Sequence, residues 1–579
     1  MKRTRFIAIL LTMVMLASLM AACGGTATPA PASTPAESTA AASTEATVAA
    51  STEATPEATP EVKVEPLMKF DPPIEISVIK TADTFFGYSE DQTPSKNDIY
   101  KLWEDVVGIK FVNKIETATA AYDQKVKLAI ASDDLPDMIA TGPAEIQEMA
   151  RNGMLADLKP FMDSYMTDRA KSLFGAFDGK LYAPVSREGG TFALPSTSSI
   201  EGNLRSTWIR KDWLDALGKT APTTMEETLD LALAFATMDP DKNGKKDTWG
   251  LPIDKEPNSS LLNTFEIVAN AYGAYPNRIV KNEAGEVVLG LDDPKVKVVL
   301  KKMQDLYKAG AIDKEFAAKD FMQVDADVGA GKYGLWLGVF WKPVDPGFAA
   351  TYSDGVEWVV TGIPASSTVK AYNPYVPFPV STYYAMSNKC EHPEALLVMA
   401  NHFMNQDLSD PNAWPRQWGD TGAKHPGIPT NNWSPVQWQD PLFFDAVPLE
   451  KALADPDWDR LNPKFAVHGQ AYDIIKGITK SEDPEKDKVM VNQFTDIFLK
   501  SCKVMGEYDQ NGYVFDAYYG APTETQSKQG SILAKMATEA IVQIISGSKP
   551  IDYYDEFVAE YKKQGGAAIL EEVKAKLAQ

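Results

Sequence analysis

Histidine and cysteine are scarce in this chain of 579 residues, with four of the first and three of the second. Chemistry that needs several imidazoles or thiolates close together is therefore largely excluded. His392, His402, His425 and His468 show neither an H-E-x-x-H pair nor any ligand spacing, and they read as surface or helix residues. No G-x-x-x-x-G-K-[ST] phosphate loop and no G-x-S-x-G nucleophile elbow occurs. Positive charge is short as well: 57 Lys and Arg face 79 Asp and Glu, a net charge of −22. Nucleic acid and anionic lipid surfaces need clustered basic side chains and are not expected as partners. What is plentiful is aromatic surface, at 10% of residues. Single cores rarely grow past about 250–300 residues, so a body of this length must divide.

The first residues are expected to leave the mature protein. Lys2, Arg3 and Arg5 form a positive start, and an uncharged, mostly apolar run follows from Phe6 to Ala22. That is the layout of a secretory signal, and the run sits at the lower limit for a membrane span. Leu19-Met20-Ala21-Ala22-Cys23 resembles a bacterial lipobox, with Met20 where Leu is commoner. The resemblance implies cleavage after residue 22, a lipid on the Cys23 thiol and an extracytoplasmic protein held to the membrane by that anchor alone. Residues 24–65 hold no aromatic and repeat STEAT at 43–47 and 51–55. Such a segment cannot offset its ordering entropy and reads as a tether, with a mean reach of about 35 Å. The folded body is expected at 66–579.

That body reads as α/β. Ile74–Lys80 alternates like a strand with one buried face, and a loop with Phe85, Phe86 and Tyr88 follows. Asn97 is placed to cap a helix that Gly108 ends, and Ile109–Ile115 is strand-like. Tyr122–Ala131 reads as helix, Asp137–Ala140 as a short strand and Ala144–Arg151 as helix. Strand and helix in this alternation predict a mainly parallel sheet, whose ligands bind beyond the strand ends. A second run opens with Leu204–Ile209, a short helix Lys211–Leu217 and a long helix capped by Thr223 or Thr224. Leu229, Leu233 and Ala236 lie on one face of that helix.

Several blocks carry a family likeness. TWIRKDWLDALGKTAPTTMEETLD (207–230), DGKLYAPVS (178–186), GKYGLWLGVFW (331–341) and Ile541–Leu570 resemble extracellular solute-binding proteins of the carbohydrate type. The resemblance implies a type II periplasmic-binding-protein fold: two α/β lobes, a hinge of crossing strands and a ligand cleft between them. Lobe one would be about 66–200 with a return near 360–410; lobe two would be about 203–350 with much of 430–579. It further implies a monomer that closes on an oligosaccharide and delivers it to the subunits of an ABC permease.

Asp239, Asp241, Asn243, Gly244, Lys245 and Asp247 match the first nine positions of an EF-hand-type calcium loop. Side-chain oxygens at the first, third, fifth and ninth positions and a carbonyl from Lys245 could wrap a structural Ca²⁺. Gly250 stands where the usual bidentate carboxylate would be, and Thr248 where relatives often carry Glu. A polar Asx-rich turn would favour the same residues.

Sugars lay their apolar faces on aromatic rings and offer hydroxyls to planar polar groups. GKYGLWLGVFW is similar to the strand and turn of maltodextrin-type proteins that ends in a stacking tryptophan, which places Trp341 at the ligand. Phe340 stands where proline is usual, and Gly334-Leu335 replace Ala-Met. Trp336 would then belong to the core. Trp414, Arg416, Trp418, Trp433 and Trp438 crowd a stretch rich in Pro, Gly, Asn and Asp, where rings either face ligand or pack the loop on itself. Tyr372, Tyr375 and Tyr383, Arg205 and Arg210, Phe86 and Tyr88, with Asp83 and Glu90 beside them, complete the candidates.

No residue is assigned a catalytic role, although a glycan-cleaving carboxylate pair could not be recognised among so many acids. A peptide carrier, a surface glycan adhesin and a sensor partner are the alternatives. Cys390 and Cys502 could pair in an oxidising compartment or remain thiols.

Overall fold

The computed structural model describes residues 65–83, 88, 91–175, 177–198, 200–258, 261–404, 434–436, 438, 449–454, 466–478, 480, 483–509 and 512–578. Cys23 and the tether, Phe86, Glu90, Trp414, Arg416, Trp418 and Trp433 lie outside the described residues.

β1 (Ile74–Thr81) leads to α1 (Asp98–Leu102), which starts where the Asn97 side chain accepts the Tyr100 N–H at 3.0 Å. One π-helical turn carries it to Gly108, at φ 73°. A Cβ there would stand 2.1 Å from the Phe70 carbonyl oxygen, so only glycine admits both the turn and the close approach. β2 (Ile109–Thr117), α2 (Tyr122–Ala131), β3 (Met138–Thr141) and α3 (Pro143–Arg151) follow. β3 starts one residue later than its sequence suggests. Asp137 instead uses its carboxylate to accept from the Ser77 N–H and hydroxyl, at 2.8 and 2.6 Å.

After β4 (Leu194–Thr197) the chain crosses through 198–204 into β5 (Arg205–Arg210). α4 (Lys211–Leu217) is closed by Gly218 at φ 61°, and α5 (Met225–Thr237) is capped by the Thr224 hydroxyl. α6 (Thr264–Ala271) precedes the hairpin of β6 (Ile279–Lys281) and β7 (Val287–Leu289). α7 (Pro294–Ala309) and α8 (Phe321–Gly329) lead to β8 (Leu335–Val339), α9 (Pro346–Ser353) and β9 (Trp358–Gly362). Residues 363–379 cross back to β10 (Val380–Met386) and α10 (Ala395–Met404). Near the C-terminus lie α11 (Glu524–Ile545) and α12 (Ala567–Leu577).

The strands form a five-stranded sheet in the order β2-β1-β3-β10-β4 and a three-stranded sheet in the order β8-β5-β9. The expectation of a mainly parallel sheet holds for β2, β1 and β3. β10 then runs antiparallel to both β3 and β4, and β5 antiparallel to both its neighbours.

The first sheet is covered on both faces. Ile76, Val78, Met138 and Met386 belong to one core, whereas Ile79, Ile139 and Ala385 belong to another. The alternation in Ile74–Lys80 therefore gives way to continuous burial from Val78 to Lys80, as a strand with helices on both sides requires. α5 shows the same effect. Met225, Thr228, Ala232 and Phe235 are buried beside Leu229, and Leu233 and Ala236 only partly, so the sheltered face is wider than the expected stripe.

Candidate ligand-binding site at the lobe crossing

Both described crossings, 198–204 and 363–379, pass a core that belongs to neither sheet alone. Ile200, Leu204, Phe340 and Val376 pack there against Phe494, Ile497, Phe498 and Met505. Phe177, Trp341, Tyr513 and Phe515 fringe it, each partly buried. Beyond the fringe the rings continue as a row: Phe177 to Phe378 at 6.2 Å, Phe378 to Tyr519 at 4.6 Å, and Tyr519 to Phe515 at 6.5 Å. The Phe378–Tyr519 planes meet at only 31°. Phe177 holds φ 60°, a backbone that a bulky L-residue adopts only when its surroundings impose it, and such strain gathers at ligand clamps.

Trp341 follows β8 and opens a 3₁₀ turn, Lys342–Val344. The turn is pinned from beneath. Lys342 Nζ donates to Asp325 Oδ1 at 2.6 Å and Asp345 Oδ2 at 2.7 Å, and lies 3.8 Å from the Trp336 ring centroid. Trp336 is 1% exposed, the core position expected for it. Burial pushes the Asp345 carboxyl up to about 6, although Lys342 pulls against it.

The other candidates are placed as follows. The Arg205 guanidinium donates to the carbonyls of Asn203 and Leu204, on the crossing itself, and burial lowers its pKa. Tyr508 donates its hydroxyl to the Arg205 carbonyl at 2.7 Å and packs on Tyr372, which is 9% exposed. Tyr375 lies under the Arg278 guanidinium at 3.8 Å and donates to Asp516 at 2.6 Å. Tyr383 is buried in β10, its hydroxyl 3.3 Å from the Leu181 carbonyl. Arg210 pairs with Asp212 at 2.5 Å. Asp83 accepts from the Thr119 N–H at 2.7 Å, which lowers its pKa. Tyr88 packs against the first lobe's core, and burial raises its phenol to about 12. Of the two readings left open for the tryptophan-rich stretch, Trp438 takes the packed one, against the first lobe: it is 1% exposed, wedged between Tyr384 and Phe403, and its Nε1 donates to the Pro195 carbonyl at 3.0 Å.

The structure thus places Arg205, Tyr372 and Tyr375 on or beside the crossing segments, with Trp341 on the same core, and puts Tyr88 in the first lobe. Sequence reasoning missed Phe177, Phe378, Phe515 and Tyr519. One signal was available, since NGYVFDAYYG (511–520) packs four aromatics into a stretch without helical or strand periodicity.

At the loop 239–247, Asn243 Nδ2 donates to Asp241 Oδ2 at 2.7 Å and to Asp247 Oδ1 at 3.1 Å. The Gly244 and Asn243 N–H groups turn inward to Asp239, at 3.1 and 3.2 Å. Desolvation, Asp239 and the Asp247 charge raise the Asp241 pKa. Among the described residues no three His, Cys, Asp or Glu side chains are grouped to hold an ion as they stand. The side chains this loop offers are nonetheless all hard oxygen ligands, the chemistry that suits Ca²⁺, and here they accept the loop's own N–H groups. A Cβ on Gly250 would stand 1.7 Å from the Ala232 carbonyl oxygen, so no side chain, carboxylate included, fits there. Cys390 and Cys502 are free thiols.

Two α/β lobes joined by crossing segments, with a ring-lined surface at the crossing, define a type II periplasmic solute-binding fold. The chain belongs to the family of bacterial extracellular solute-binding proteins, whose model matches residues 103–405, just over half of it. Lipoprotein LipO of Bacillus subtilis (strain 168) is 26% identical over 42% of this chain and 46% of its own. The fructooligosaccharide ABC transporter substrate-binding protein FusA of Streptococcus pneumoniae serotype 4 is 28% identical over 37% of this chain and 42% of its own. The chain therefore spans less than half the length of these curated relatives. Alginate-binding protein AlgQ2, solved without calcium ion, superposes with a TM-score of 0.60 at 16% identity, over 89% of this chain and 99% of that one. The family is one of extracytoplasmic binding proteins rather than enzymes.

Proposed function

We propose that this protein captures a neutral oligosaccharide at the lobe crossing and delivers it to an ABC permease, without catalysis. The observation that carries the reading is the row Phe177–Phe378–Tyr519–Phe515, with Trp341 on the same core. Partly exposed rings in a line offer repeated platforms for the apolar faces of successive sugar units. A relative supports the class: FusA is named for fructooligosaccharide and an ABC transporter. Closure of lobe one (about 66–200 with a return near 360–410) on lobe two (about 203–350 with much of 430–579) would bury the ligand.

The protein acts outside the cell membrane, held as a monomer by a lipid on Cys23, as LipO is named a lipoprotein. Among the described residues no helix is long and apolar enough to cross a membrane. Asp239, Asp241, Asn243, Asp247 and the Lys245 carbonyl bind a structural Ca²⁺. Trp341 and Arg205 address the sugar, and Trp414, Trp418, Phe86, Tyr88, Tyr372 and Tyr375 are secondary candidates.

The test is a thermal-shift panel on the full chain with neutral oligosaccharides, acidic oligosaccharides and peptides. A ligand at a hundred times its Kd adds about 2.7 kcal/mol to stability. A shift with neutral glycans that Trp341→Ala removes supports the reading. A shift with peptides or acidic glycans alone overturns the substrate class.

A further inference from the structure

A concavity with none of the row's rings in its walls lies between α11, α12 and the β6–β7 hairpin, with Asp516 and Tyr518 of the neighbouring stretch on one side and a volume of about 560 Å³. That is within the range of about 300–1,000 Å³ usual for small-molecule sites. Its walls are chemically specific. Asn258, Asn277, Gln526 and Thr538 contribute amides and a hydroxyl, while Tyr518 and Tyr561 contribute rings. Asn277 Nδ2 is buried without a hydrogen-bond partner, an arrangement that proteins generally avoid unless something else meets the donor.

Charge narrows the class of occupant. Arg278 lines the cavity, but its Nε and Nη2 are matched by Glu266 at 2.8 and 3.1 Å, and Glu266 is 1% exposed. Asp516 lines it too, holding the Tyr375 hydroxyl at 2.6 Å, and burial raises its pKa. An anion would meet a guanidinium already neutralised and a carboxyl beside it. Asn258 accepts from Thr538 at 3.1 Å and the Gln526 side-chain carbonyl oxygen from the Thr523 N–H, so the group a purely apolar molecule would leave unmatched is the Asn277 amide.

We propose that this cavity is a second ligand site, for a neutral polyhydroxylated molecule of one or two sugar units. Its occupant would join α11 and α12 to the hairpin and to Arg278, so binding would tighten the C-terminal helices. The cavity shares no wall residue with the aromatic row, although Asp516 and Arg278 also hold Tyr375 of the crossing, and the proposal does not rest on the function proposed for that row.

The experiment uses the full chain carrying Trp341→Ala and Phe378→Ala, which disables the crossing. Glucose, sucrose and glycerol are the neutral probes, and galacturonate and inorganic phosphate the anionic ones. Backbone hydrogen exchange across 524–545 and 567–577 is the readout. A neutral probe at ten times its Kd should slow exchange there about tenfold. Gly530→Phe on the cavity wall should abolish that protection. A Cβ at Gly530 meets only Gln526 Cγ at 3.8 Å, and leaving glycine favours the helix; an unchanged melting temperature of Gly530→Phe, with Gly530→Ala as the control that should keep the protection, checks that the fold is kept. No protection by any neutral probe, protection that survives Gly530→Phe, or stronger protection by the anions each overturns the proposal.

Discussion

Lys342 Nζ donates to Asp345 Oδ2 at 2.7 Å, and both side chains have no exposure to solvent. With Asp325 the three groups form a buried cluster of one cation and two carboxyls directly behind Trp341. Asp325 also accepts the Gly347 N–H at 2.6 Å, which fastens α9 to the same point.

Removing either sign from this cluster has unequal consequences. Lys342→Met leaves two buried carboxyls without their cation and should cost about 3–5 kcal/mol. Asp345→Asn keeps Lys342 with Asp325 and should change stability by about 1 kcal/mol. The sign with pH follows from an Asp345 carboxyl raised to about 6. The folded state holds this proton more tightly than the unfolded, so the contribution is full below pH 4 and is lost as pH rises through 6. Urea melts of wild type and Asp345→Asn across pH 4–7 should converge at the low end.

Lys80 gives the opposite slope. It is 5% exposed, donates to the Ser434 carbonyl at 3.1 Å, and burial lowers its pKa from 10.5 to about 8. Between these values the unfolded chain binds the extra proton, so this group's contribution to stability rises with pH. Lys80→Met should be more stable than wild type at pH 7, and the difference should shrink toward pH 10.5 in the same melts.

Phe378 and Trp336 separate binding from folding. Phe378 stands partly exposed in the row, whereas Trp336 is 1% exposed. Phe378→Ala should weaken the oligosaccharide by about 10–30-fold, roughly 2 kcal/mol, with little change in melting. Trp336→Ala should instead cost about 3–5 kcal/mol of stability. Calorimetry of binding beside thermal melts checks both, and equal affinity in Phe378→Ala would remove the row from the ligand.

Calcium has a similarly direct readout. If the 239–247 loop takes the ion, EDTA should lower the melting temperature of wild type and leave Asp241→Ala unchanged. Gly250→Ala should cost several kcal/mol with or without calcium, because its Cβ collides with the Ala232 carbonyl rather than with the ion.

What the sequence made legible were features with local causes. The Asn97 cap, the Gly108 and Gly218 stops and the extent of Tyr122–Ala131 follow from short-range chemistry, and all stand in the structure. Features decided by partners far along the chain were not legible. β10 reverses the direction of an otherwise parallel sheet, and nothing in Val380–Met386 announces which strand it will meet. Phe177 and Phe378 are unremarkable singly and become neighbours only through folding. Trp438 looked like a loop aromatic because its pocket, between Tyr384 and Phe403, comes from elsewhere.

The pairing of Tyr383 with Thr141 sets a schedule for the nascent chain. The five-stranded sheet cannot close until β10 has emerged, and pairings of such long sequence separation are slow to form. The aromatic row waits longer, because Phe515 and Tyr519 come later still. The row is therefore incomplete until nearly the whole chain has been made. Shortening from the C-terminal side past residue 515 would leave the first lobe's sequence intact and remove Tyr519 and α11 and α12.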